Sequence, residues 1–140
     1  MDRLSELYYE MFEKDFKDAQ AFHHRAEQFQ QQGQYSLVFN IGSIALERYL
    51  VALCGLYGVS PENHNYDCLM DTVEALIDFP PILNQEIRSL DLLFGICSLD
   101  EYHHELPEPS DADRVMAMCA ALGKLFDAQR ISDMKAELSA

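Results

Sequence analysis

The chain is 140 residues long and 49% hydrophobic, and its 24 acidic against 10 basic residues give a formal net charge of −14. That length fits one domain around a single core, and the charge repels phosphate backbones at long range, which argues against general nucleic-acid binding while leaving room for a small basic pocket. Six glycines and five prolines are too few for a turn-rich sheet protein, and strict apolar/polar alternation is absent, so the expected class is all-α.

The first predicted helix runs from about Leu4 to Gln31. Leu4, Leu7, Tyr8, Met11, Phe12, Phe16, Ala19, Phe22, Ala26 and Phe29 recur at three-and-four spacing, with Glu6, Glu10, Glu13, Lys14, Lys17 and Asp18 on the other side. Gly33 suits the left-handed position that ends it. The connection to the next helix is so short that the two should form an antiparallel hairpin. That second helix, from about Ser36 to Tyr57, is apolar on nearly every side over about six turns, which marks a helix enclosed by neighbours. Ser36, Asn40, Ser43 and Glu47 fall on one polar stripe. Arg48 stands beside it, and beyond Arg48 the helix should be surrounded completely. Glu47 and Arg48 also interrupt the apolar run, so a buried helix is expected here and not a membrane span.

Gly58 closes the second helix, and Ser60 to Asn65 makes a polar loop. A third, shorter helix is predicted from Tyr66 to about Asp78, with Leu69, Met70, Val73, Leu76 and Ile77 on its apolar face. Pro80-Pro81 stops it and starts a fourth helix reaching about Leu99, striped by Leu83, Ile87, Leu90, Phe94 and Cys97. Leu106 to Pro109 should be irregular. Ser110-Asp111-Ala112-Asp113 resembles a capping box opening a last helix to about Arg130, and residues 131–140 are expected to fray. The expected architecture is an up-and-down four-helix bundle with one additional short helix, in a single domain spanning 1–140. Cys54, Cys68, Cys97 and Cys119 lie inside apolar runs without the close pairing of zinc or redox motifs, which reads as reduced cytoplasmic thiols. Met1-Asp2-Arg3 leads into an acidic amphipathic segment where a signal peptide would be apolar, consistent with a cytoplasmic location.

The run FQQQGQYSLVFNIGSIALERYLVALCGLYGVSPENHNYDCLMDTVEAL resembles the first half of a HEPN domain, a helical bundle of prokaryotic toxin and nucleotidyltransferase-associated proteins. The matching features are Gly33 and Tyr35; Gly42, Ala45, Glu47 and Arg48; and Gly58, Pro61 and His64 followed by Leu69. The resemblance covers the first two thirds of the chain, and the last third only by helix order. It implies the bundle fold, pairing with itself or with a nucleotidyltransferase-type partner in a toxin–antitoxin-like system, and, in ribonuclease members, an arginine followed a few residues later by a histidine near the end of the fourth helix. Such a pair lets a guanidinium hold phosphate while an imidazole exchanges the 2′-hydroxyl proton. Here the region holds His103 and His104 but no arginine or lysine, and Arg88 lies fifteen residues before His103.

Three functional readings follow. The first is a noncatalytic interaction or ligand-binding module that needs no cofactor, with a cleft formed by Asn40, Ser43, Glu47, Arg48, Asp100, Glu101 and Tyr102, and spare apolar residues Phe22, Phe29, Leu92 and Met116. The second is a divergent metal-independent ribonuclease using His103 or His104 with Arg48. The third is a metal-binding bundle in which Glu101 and His104, at Glu-x-x-His spacing, act as ligands, with His23 and His24 as further candidates. The first is the favoured expectation.

Overall fold

A computed structural model describes residues 3–94 and 108–139, and among them every regular element is an α-helix. The elements are α1 (Arg3–Gln31), α2 (Tyr35–Leu56), α3 (Tyr66–Glu74), α4 (Pro81–Phe94), α5 (Pro109–Gly123) and α6 (Ala128–Ser139). The all-α expectation therefore holds.

The α1–α2 connection is set by local chemistry. Gly33 takes φ +71°, so Gln34 N–H reaches the Phe29 carbonyl and Gly33 N–H that of Gln30, both at 3.1 Å, in the paired bonds that terminate a helix. Gly58 does the same for α2 at φ +73°, with Val59 N–H on the Cys54 carbonyl at 2.9 Å. Returning along α1, α2 packs through small residues: Ala19 and Ala26 of α1 and Ala45 and Ala52 of α2 are fully buried, Gly55 lies against Phe12, and Gly42 against Ala26. Side chains this small let the two backbones approach closely, and that approach fixes the register between them.

Every residue from Tyr49 to Leu56 is buried, as the apolar composition of this half predicts. α2 is long and apolar enough to cross a membrane by length and composition, but two thirds of its most apolar window is buried among the other helices. α1 covers one side and α5 a second, where Val115, Met116, Met118 and Cys119 are buried. α3 sits against a third, with Leu69, Met70 and Val73 turned inward. α4 packs on α3 and α5 through Ile87 and Leu90.

Four boundaries differ from the sequence reading. α3 stops at Glu74, four residues early, because Leu76 and Ile77 turn back onto the Val73 carbonyl. α5 starts at Pro109, where irregular chain was expected. Its capping box is Glu108 with Asp111, not Ser110 with Asp113: Asp111 accepts the Glu108 N–H at 2.8 Å, and Pro109 takes the first-turn place that needs no donor. The last helix breaks at Gly123, and α6 begins afresh at Ala128 behind Asp127, whose carboxylate accepts the Gln129 N–H at 2.9 Å. The break places Phe126 on Phe16 with ring centroids 4.4 Å apart, and α6 carries Met134 into the core where a frayed tail was expected. Residues of the predicted fourth helix beyond Phe94, with Cys97, lie outside the described residues.

Candidate functional site

Ionic side chains from three segments come together at a concavity where α1, α2 and the loop before α3 meet. Arg48 leaves α2 immediately before the fully enclosed half that begins at Tyr49. Its Nη1 lies 3.6 Å from Asp15 Oδ1 on α1, and its Nη2 lies 3.7 Å from Glu47 Oε1. The loop closed by Gly58 brings His64 over the same spot, with Nδ1 3.2 Å from Glu47 Oε1. Met11, Val51, Gly55, Val59 and Pro61 complete the walls of a hollow of about 170 Å³.

Its electrostatics decide what it can hold. Asp15 and Glu47 together outweigh the single guanidinium, so the hollow is neutral with His64 protonated and negative without. Burial raises the Asp15 carboxyl above its ordinary range, and the attraction of Arg48 does not fully offset that desolvation. An incoming phosphate would have to displace both carboxylates from Arg48, so the site is poorly suited to phosphate chemistry.

Of the residues expected in a cleft, Glu47 and Arg48 come together here, while Asn40 lies exposed further up α2. Ser43 does not reach a cleft. It is buried, its hydroxyl donates to the Phe39 carbonyl at 2.6 Å, and its own carbonyl accepts from Tyr66 Oη at 2.8 Å, so α3 seals that side of α2. Asp100, Glu101, Tyr102, His103 and His104 lie outside the described residues. Asp15 and the contact of His64 were not foreseen. A signal for Asp15 exists: it stands four residues after Met11 and four before Ala19, an acid inside the apolar stripe of α1.

The other candidates are engaged elsewhere. His23 Nδ1 shares a hydrogen bond of 2.8 Å with Tyr49 Oη, whereas His24 is exposed beside Gln28, so the adjacent histidines face different surroundings. Arg88 clamps α3 to α4: it meets Asp67 at 3.1 Å, Asp71 at 2.8 Å and Glu74 at 3.3 Å, and donates from Nε to Asn84 at 2.7 Å. Among the described residues no group of three or more histidine, cysteine, aspartate or glutamate side chains is placed to hold a metal ion. Cys54 and Cys119 are buried free thiols, pushed by burial up to about 11 and about 12. No protein-family model matches the chain, and no curated protein or solved structure matches it at a significant level.

Proposed function

We propose that the chain is a noncatalytic HEPN-like interaction module, an up-and-down bundle built round α2 that pairs with itself or with a nucleotidyltransferase-type protein in a prokaryotic, cytoplasmic, toxin–antitoxin-like setting. One observation carries the reading: Arg48, which lines the hollow between α1 and α2, has its charge answered by Asp15 and Glu47, while the outer face of the same two helices presents large apolar side chains. A guanidinium committed in this way is a poor phosphate holder, and apolar side chains gathered on one face serve contact with another protein.

A second reading has its own support. Arg48 and His64 line one hollow and share Glu47, so an arginine and an imidazole do stand near each other on different elements, as a divergent ribonuclease would need. The two readings part on a single assay. RNA incubated with micromolar protein and a chelator stays intact if the module reading holds. Cleavage that disappears in Arg48→Ala together with either His64→Ala or His104→Ala would replace it with the ribonuclease.

A further inference from the structure

The hollow between α1, α2 and the loop before α3 holds a donor and an acceptor that do not satisfy each other. Arg48 Nη1 stands 3.6 Å from Asp15 Oδ1 and Nη2 stands 3.7 Å from Glu47 Oε1, both beyond the reach of an N–H···O hydrogen bond. Arg88, in contrast, closes to between 2.8 and 3.3 Å on its three acids. Glu47 is engaged by His64, whose Nδ1 lies 3.2 Å from Oε1, so the pair left facing the hollow is Arg48 with Asp15. Burial is the largest influence on the Asp15 carboxyl and raises it, and at 3.6 Å Arg48 does not offset that effect. An N–H donor arriving from the hollow would favour the ionised carboxylate.

Charge sorts the ligands this hollow accepts. An anion drawn to Arg48 meets Asp15 and Glu47 at the same place, and a cation drawn to Asp15 meets Arg48. A neutral group that donates to Asp15 and accepts from Arg48 at once uses both and displaces neither. Spacing sorts them further. An amide's C=O of about 1.23 Å and C–N of about 1.33 Å put its oxygen and nitrogen roughly 2.2 Å apart. Two bonds of about 2.9 Å from that edge reach atoms 3.6 Å apart when each is splayed outward by roughly 15°, within the angles such bonds tolerate. Among amides, only those with N–H and C=O on the same edge do this: a primary carboxamide, or a lactam whose ring holds the amide cis. A trans peptide bond turns the two groups to opposite edges. The walls formed by Met11, Val51, Gly55, Val59 and Pro61 are apolar, and about 170 Å³, at about 30 Å³ for each water-sized group, has room for about six non-hydrogen atoms.

We infer that this hollow is a binding site for a small neutral primary carboxamide or lactam on a compact aliphatic body, its C=O accepting from Arg48 Nη1 and its N–H donating to Asp15 Oδ1. The aliphatic body lies against Met11, Val51 and Val59, and Ser60 and His64 complete the lining on the loop side. A ligand held there joins α1, α2 and the loop through one edge. The site goes beyond the interaction-module reading and does not depend on it.

Titration of the full chain, followed by two-dimensional amide NMR, tests the site. Isobutyramide and pyrrolidinone, each of about six non-hydrogen atoms, should shift the Gly55 and Val59 backbone N–H signals and saturate with a dissociation constant in the millimolar range. N-methylisobutyramide, a trans secondary amide whose methyl group takes the place of the N–H beside the oxygen, should bind about tenfold or more weakly, as should isobutyrate and isobutylamine. Asp15→Ala and Arg48→Met each remove one half of the pair and should weaken isobutyramide by about tenfold or more, with a cooperative melting transition showing that both variants are folded. No saturable shift with isobutyramide, equal binding of N-methylisobutyramide, tighter binding of the amine or the anion, or binding that survives both substitutions would each overturn the inference. All but the last are read on the unaltered chain. None of these outcomes touches the module reading, which fails on RNA cleavage and not on amide binding.

Discussion

Two tyrosine hydroxyls are held inside the bundle, Tyr66 on the Ser43 carbonyl and Tyr49 on His23, each at 2.8 Å. Burial, more than any neighbouring charge, pushes Tyr49 up to about 12 and lifts Tyr66 well above the ordinary tyrosine range. An unfolded tyrosine ionises near its ordinary value of 10.0, so above that pH the unfolded chain has given up protons that the native chain keeps. The stability these hydroxyls contribute is complete below pH 10 and is lost as pH rises towards the folded values, by about 1.4 kcal/mol per pH unit for each group. Urea midpoints recorded from pH 8 to pH 11 should be flat and then fall. Tyr66→Phe should lessen the fall while lowering the midpoint at pH 8 through loss of a buried hydrogen bond of about 1 kcal/mol.

At the scale of elements, α3 is short and depends on a neighbour for its start. Asn65 accepts the Cys68 N–H at 2.8 Å, and Asp91, reaching across from α4, accepts the Tyr66 and Asp67 N–H groups at 3.0 and 2.9 Å. A buried carboxylate facing the positive end of a helix and holding two of its unpaired donors binds α3 to α4. Asp91→Ala leaves the buried Tyr66 N–H and the part-buried Asp67 N–H without their acceptor, at a cost of about 1–3 kcal/mol. Thermal unfolding should show the loss, and hydrogen exchange at Tyr66 and Asp67 should quicken before exchange in α2. The periodicity of α4 passes over Asp91 just as that of α1 passes over Asp15. An acid at a core-stripe position signals a buried partner, but the partner lies on another helix and local spacing does not name it.

At the scale of the whole molecule, α2 is gripped between α1 and α5, and the tightest point is Gly42. A Cβ there would come within 2.9 Å of Val115 Cγ1, a stiff β-branched side chain on α5, and the Cys119 thiol donates to the Gly42 carbonyl at 3.3 Å. Overpacking of this kind costs about 1–3 kcal/mol and offsets the gain of about 1 kcal/mol from replacing glycine by alanine in a helix. Gly42→Ala should therefore lower the melting temperature despite its better helix propensity. A rise in melting temperature would mean that α5 stands further from α2 than described.

The sequence by itself determined the helical class, the α1–α2 hairpin, the turns at Gly33 and Gly58 and the enclosure of α2 past Tyr49, because each follows from spacing within one turn or from one residue's backbone preference. Tertiary structure alone decided which way α2 is turned. The sequence placed its outer side along Ser36, Asn40, Ser43 and Glu47, whereas α3 covers Ser43 and leaves Leu37 and Ile44 outside. It also decided that Arg48 meets Asp15 and that His64 folds over Glu47. Those outcomes depend on how small residues set the depth and register of one helix against another, and that information is shared between stretches of chain far apart in sequence.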